Sequence, residues 1–279
     1  MTEQDASDRG WFVGIDPGDS DAAAGAVRDG SAETVEAWPQ VAVEAGAFDS
    51  AEEYYDRLHG ATMAATRAAV REAETAADKQ LIHAVRAMDD CERVANELAE
   101  RVAEWAGSRR EDAGTGVAYA RKLAGQEDAD PELVSLARRV RDLDDETETL
   151  RARVERTAPD VAPNLSALAG PVLAARLIAL AGGLKQLARK PAGTVQVLGA
   201  EEALFAHLRG HAPSPKHGVI FTHEAIQGTA PENRGSAARA LSGKLVIAAR
   251  VDHYSGERKP ELDAELAERI DRIRERETE

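Results

Sequence analysis

Lys216 and His217 stand directly before Gly218, in a stretch that has just passed Pro213 and Pro215. Prolines and a glycine so arranged make a surface turn, where side chains are exposed and the backbone can approach a phosphate closely. Arg234 and Arg239 lie further on, and each offers the planar fork that grips a phosphate through two hydrogen bonds. Taken singly, any of the four also suits a surface salt bridge. Their joint chemistry is recognition of an anionic chain rather than catalysis. His207 and His211 are spaced i, i+4, but no Glu lies between them in the metalloprotease pattern and no cysteine is nearby, so no metal site is expected. Walker A, GxGxxG and nucleophile-elbow patterns are all missing. So is a glycine-rich strand–turn–helix for a methyl donor. No cofactor and no catalytic residue are expected.

Charge supports the same reading. The chain of 279 residues carries a net −15, with 28 Arg against 7 Lys. Abundant acid with scarce Lys and few aromatics resembles the composition of proteins from salt-loving archaea. Molar salt shortens the Debye length to about 3 Å, so an acidic chain repels nucleic acid far less there. Residues 159–256 hold 10 Lys/Arg against 6 Asp/Glu, a net of +4, which leaves −19 to the rest. Five of the seven histidines fall in that stretch as well. A basic island on an acidic chain points to an anionic partner.

The elements that would position these residues are mostly helical. Trp11–Ile15 reads as a strand closed by the turn Asp16-Pro17-Gly18, with Gly25–Val27 and Thr34–Trp38 as its neighbours. Helix begins after Ser50, which forms a capping box with Glu53. Residues 78–105 carry a heptad with Leu81, Met88, Ala95 and Val102 at a, and Ala84, Cys91, Leu98 and Trp105 at d. A second heptad over 133–157 includes Leu136, Val140 and Leu143. Helix-breaking Gly and Pro residues lie between the two. The expectation is an antiparallel coiled-coil hairpin that dimerises, a second copy completing the seam through Leu81, Met88, Leu98, Val102, Leu136, Val140 and Leu143. Cys91, the single cysteine, is then a small core residue and can form no intramolecular disulfide, which fits a reducing cytoplasm. No apolar run approaches the ~20 residues of a membrane span.

Residues 162–256 carry a series of words in order: Ala162–Leu165, Ala175–Leu184, Val195–Glu201, Ala203–Phe205, Pro215–Phe221, Arg234-Gly235, Ala238–Ala240 and Ile247–Asp252. Together they resemble the Nop domain, and Met88–Asp90 and Glu104-Trp105 resemble the coiled coil that precedes it. The resemblance implies a scaffold of the archaeal C/D-box particle that carries out RNA-guided 2′-O-methylation of rRNA and tRNA. It implies three partners besides a second copy: C/D-box guide RNA, a ribosomal-type protein that binds its kink-turn, and the methyltransferase fibrillarin. It places Lys216, His217, Gly218, Arg234 and Arg239 at the RNA–protein surface, with Glu201, Leu204 and Phe205 shaping the helix beside it. Phe205 is read there as core, because the word around it is apolar and helical. Two positions depart from the family pattern, Glu202 standing for Lys and Ala206 for Arg. The expected fold is mainly α. It has a small α/β domain over 1–77 that binds fibrillarin through residues 10–75, the hairpin over 78–158, an all-α Nop domain over 159–256, and a charged tail over 257–279.

Two other readings stay open on the sequence. Gly14–Gly18 resembles the first strand of RuvC-like, RNase-H-fold nucleases, with Asp16 as metal ligand and Asp19, Asp21 and Glu36 as candidate companions. A coiled-coil adaptor without RNA binding would explain the heptads but not the basic island.

Overall fold

The computed structural model describes residues 10–16, 18–31, 36–126 and 130–275. It divides into two compact units, 1–76 and 77–279.

In the first unit, α1 (Ser20–Asp29) packs on α3 (Ala51–Thr75), and α2 (Trp38–Glu44) packs on α3 as well. Alanines make the α1–α3 contact close: Ala23, Ala24, Ala61 and Ala65 are all buried. A small aromatic cluster of Phe12, Phe48 and Tyr54, with Trp11 beside it, forms a separate core, its Phe48 and Tyr54 rings 5.5 Å apart and perpendicular. The capping box forms in modified shape. The Ser50 hydroxyl accepts the Glu53 N–H at 3.2 Å, while the Glu53 carboxylate reaches past Ser50 to the Asp49 N–H at 2.9 Å.

The α/β expectation for this unit is overturned, because no strand occurs among the described residues. Trp11–Gly14 forms a turn, Gly25–Val27 lies inside α1, and Trp38 opens α2. Residues 34–35 of the third expected strand lie outside the described residues. The physical reason is capping. Asp19 accepts the N–H groups of Asp21 and Ala22, which starts a helix in an alanine-rich run where helix propensity is highest. The nuclease reading loses its strand with this, and Asp16 is engaged in turning the chain by accepting the Gly18 N–H at 2.8 Å.

The second unit begins with the hairpin, α4 (Ala77–Gly107) against α6 (Pro131–Val161). Each helix has 31 residues, about 46 Å of length at 1.5 Å per residue. Between them the glycine-rich stretch folds into a third helix, α5 (Gly116–Ala124), which closes the tip by packing Ala120 and Leu123 into a cluster with Ala99, Val102, Ala106, Ala137 and Val140. The buried stripe of α4 is broader than a coiled-coil seam. All four a positions are buried, but Cys91, Leu98 and Trp105 at d are only half-buried, and Val85, Ala99 and Ala106 one turn on from a are fully inside. A helix that meets several neighbours needs this wider face. Leu81, Met88, Val102 and Val140 are thus filled by neighbours within one chain, so their seam does not need a second copy to complete it. Leu98, Leu136 and Leu143 are half-exposed.

The other end of the hairpin shares one core with α7 (Pro163–Ala169), α8 (Pro171–Ala181), α9 (Leu184–Arg189), α12 (Glu224–Gln227) and α13 (Arg234–Tyr254). Polar ties reinforce the join. Arg176 of α8 donates to Asp89 of α4 from both Nε (3.0 Å) and Nη2 (2.6 Å). Lys79 and Arg86 of α4 donate to the carbonyls of Gly182 and Ala179 at the C-terminal end of α8, where cations suit the helix dipole. Asp78 caps α9 through the Leu184 N–H at 3.0 Å. From α13, the buried carboxylate of Asp252 accepts the N–H groups of Asn164 and Leu165 at 3.0 and 2.8 Å and so caps α7. The charged tail joins this core too. In α14 (Glu261–Glu275), Leu262, Leu266, Ile270 and Ile273 are buried along one face. No single described helix is long and apolar enough to cross a membrane.

Candidate nucleic-acid interface

After α10 (Ala192–Gln196) the chain passes Gly199, enters α11 (Glu201–Leu208) and returns along the loop 213–218. Three hydrogen bonds pin that return. Gly218 N–H donates to the Gln196 carbonyl at 2.9 Å, Val219 N–H to Leu198 at 2.8 Å, and the Gln196 side-chain amide to the Lys216 carbonyl at 2.8 Å. Gly218 is obligatory, because a Cβ there would stand 2.1 Å from the Leu198 carbonyl oxygen. The backbone carrying Lys216 and His217 is therefore held rigidly although their side chains lie at the surface.

A 3-10 turn, Val219–Thr222, follows and presents Phe221. The His217 ring stacks on Phe221 at 4.4 Å between centroids and 20° between planes. The Arg234 guanidinium lies 5.6 Å from the centroid of the same ring. Arg234 Nε also donates to the Thr229 carbonyl at 3.1 Å, which fixes the side chain at the first turn of α13. Lys216 reaches toward that turn as well, its Cδ 3.9 Å from the Cβ position of Gly235. Arg239 is four residues beyond Gly235 and so on the same helix face. Lys216 and Arg239 are exposed and have no carboxylate partner among the described residues. Unpaired cations on a chain of net −15 are candidates for phosphate.

His217 is held below the ordinary histidine pKa. Burial is the first cause, and the charges of Arg234 and Lys216 add to it. At neutral pH the ring is an uncharged stacking element, and the positive charge of the face comes from Lys216, Arg234 and Arg239.

The structure thus brings Lys216, His217, Gly218 and Arg234 together, and Arg239 lies exposed one turn beyond Gly235 on α13. Glu201 stands at the start of α11, where its carboxylate accepts the Gly199 N–H at 2.9 Å. Gly199 itself packs against Val219, which joins the entry of α11 to the same face. Phe205 corrects the sequence reading: it is 56% exposed rather than core, Leu204 is half-buried, and Leu208 is 71% exposed. The apolar word is helical, but no residue of α11 is buried. Glu202 is exposed on this helix, and Ala206 is half-buried. His207 and His211 do not share a helix, since α11 ends at Leu208, and the His207 ring faces the Ala212 carbonyl at 3.0 Å. Sequence reasoning missed Phe221, Gln196 and Thr229. Phe221 lay inside a quoted word, but its role as platform depends on residues four before and thirteen after it.

A family model described as "Nop: snoRNA binding domain, fibrillarin" matches residues 78–275. A NOP5 family protein of Methanocaldococcus jannaschii is 34% identical over 275 aligned residues, covering 84% of this chain and 66% of that protein. Nucleolar protein 56 of Dictyostelium discoideum is 40% identical over 143 residues, covering 51% of this chain and 26% of that protein. The chain therefore spans just under two thirds of the first relative and about a quarter of the second. The crystal structure of a fibrillarin/Nop5p complex contains a similar fold, with a TM-score of 0.54 at 24% identity over 90% of this chain and 92% of that one. With the match spanning the hairpin, the basic face and the C-terminal helix together, the chain belongs to the Nop family.

Proposed function

We propose that this chain is the non-catalytic scaffold of an archaeal C/D-box guide particle. It binds kink-turn RNA together with its ribosomal-type protein and recruits fibrillarin for RNA-guided 2′-O-methylation of rRNA and tRNA in the cytoplasm. The observation that carries this reading is the convergence of Lys216 and Arg234 beside the His217–Phe221 stack, with the exposed Arg239 one turn beyond Gly235 on α13. The family model's description, which names snoRNA binding and fibrillarin, supports the two partners. The similar fold found in a fibrillarin/Nop5p complex fits the second of them. Two chains pair through the hairpin, with the half-exposed Leu98, Leu136 and Leu143 at the contact, since the other seam residues are already covered.

The test is affinity for a kink-turn RNA carrying its ribosomal-type protein. Lys216→Ala and Arg239→Ala should each weaken binding alike for different guide sequences, and each should lower the salt dependence by about one counterion. Glu202→Lys should tighten binding, most at low salt where screening is weak. Unchanged affinity in both alanine variants would place the RNA elsewhere. The isolated chain, given guide RNA and methyl donor, should transfer no methyl group.

A further inference from the structure

The arginine that carries the basic face, Arg234, is held by the Thr229 carbonyl, and Thr229 is in turn held from the far end of the chain. Its side chain is buried, its hydroxyl donates to the Ala225 carbonyl at 2.9 Å, and the same oxygen accepts Arg274 Nε at 3.4 Å. Arg274 Nη2 also donates to the Glu224 carbonyl at 3.2 Å, the same oxygen that accepts the Gly228 N–H at 2.8 Å and so closes the turn. Arg274 belongs to α14, which Leu266, Ile270 and Ile273 anchor in the core. It has no carboxylate partner among the described residues, so its guanidinium serves the 224–229 turn. A second observation points the same way. Gly228, at φ −78° and ψ 9°, has a negative φ open to any residue, yet a Cβ there would stand 2.8 Å from Arg274 Nη2 and 2.9 Å from the Glu224 carbonyl oxygen. The glycine is required by the guanidinium and the turn, not by its own dihedrals.

We propose that Arg274 is a positioning residue for the RNA face. From the C-terminal helix it braces the Glu224–Thr229 turn, and the turn holds Arg234 over Phe221. The inference rests on the proposed RNA-binding reading of that face. Arg274 touches no RNA. It acts by keeping the Arg234 fork in one orientation, so that a phosphate meets a fixed donor pair instead of a swinging side chain.

The experiment uses the full chain and the kink-turn RNA with its ribosomal-type protein, together with amide hydrogen exchange of the free chain. Arg274→Met should weaken binding about three- to tenfold, as expected for a coupled contact, and have no further effect in an Arg234→Ala background. Arg274→Lys, which keeps a donor, should recover part of the loss. Gly228→Ala should reproduce the Arg274→Met defect by displacing the guanidinium, and in both variants exchange should rise across 224–235. Additive losses in the Arg234→Ala background would overturn the proposal, because Arg274 would then contact RNA itself or act through general stability. Unchanged exchange across 224–235 would overturn it as well. If exchange rises but Arg234→Ala itself leaves affinity intact, the brace stands and the RNA-binding reading of the face fails.

Discussion

The two compact units are built on different principles. Unit 77–279 is joined by polar ties between residues far apart in the chain: Asp252 with Asn164 and Leu165, Arg176 with Asp89, and Asp78 with Leu184. Unit 1–76 is held mainly by alanine faces and one small aromatic cluster; the hydrogen bonds of Asp16, Asp19, Ser50 and Glu53 are local turns and caps, and an exposed Arg28–Glu72 ion pair at 3.7 Å links α1 to α3. A polar tie demands particular residues at particular places, so it leaves words in a sequence. An alanine face leaves composition only. This is why the words that identify the family cluster in the second unit, and why several of them are structural. Asn164 with Asp252, and Arg176 with Asp89, bind helices to one another rather than to RNA.

The largest test of this contrast is removal of the first unit. A truncated chain beginning at Asp78 keeps both long hairpin helices and the whole basic face. It should bind the kink-turn complex as the full chain does and lose fibrillarin, which we assign to residues 10–75. Pull-down of each partner with both chains checks this. Fibrillarin retained by the truncated chain would move its contact into the second unit.

The contrast also accounts for what could be read in the sequence. The hairpin was legible because its heptads run for many turns, and a period that long overwhelms local noise. Even so, burial at Val85 and Ala99 in place of Cys91 and Leu98 was not legible, since the neighbours that widen the face, α5 and α8, come from distant sequence. In the first unit, Trp11–Ile15 and Gly25–Val27 were too short for period to decide between strand and helix. Asp19 ahead of an alanine run was the available signal for α1. At the basic face, Lys216, His217, Arg234 and Arg239 were legible as types in a basic island. Phe221 as their platform, and the exposure of Phe205, were not. Both depend on which side of a short element meets the core, and short elements carry too few residues to show it.

A second test sets a tie against a patch. Asp252→Ala removes the carboxylate that caps α7 and leaves two buried N–H groups unmet, which should cost about 3 kcal/mol. Phe48→Ala should loosen the aromatic cluster of the first unit instead. Hydrogen exchange read separately in the two units checks this. Asp252→Ala should raise exchange in 77–275 and spare 10–76, and Phe48→Ala should do the reverse. Loss of protection in both units from either substitution would mean that they do not fold as separate bodies.

The smallest effect concerns His217, where the second unit keeps a titratable ring against two cations. Its folded pKa is lowered, first by burial and then by Arg234 and Lys216, so protonation is harder in the folded chain than in the unfolded one. The folded chain thus takes up fewer protons as pH falls through the ordinary histidine value of 6.5. Whatever stability His217 gives is fully present above that pH and declines below it, and His217→Gln should flatten this part of the pH profile. RNA reverses the sign. A phosphate brought to the face adds negative charge beside the ring, raises its pKa, and makes binding take up a proton as pH falls. Titration of the His217 ring by NMR should therefore give a value below 6.5 in the free chain and a higher one in the kink-turn complex. The same value in both states would mean that no phosphate reaches the Phe221 platform, leaving the His217–Phe221 stack as one more internal tie of the second unit.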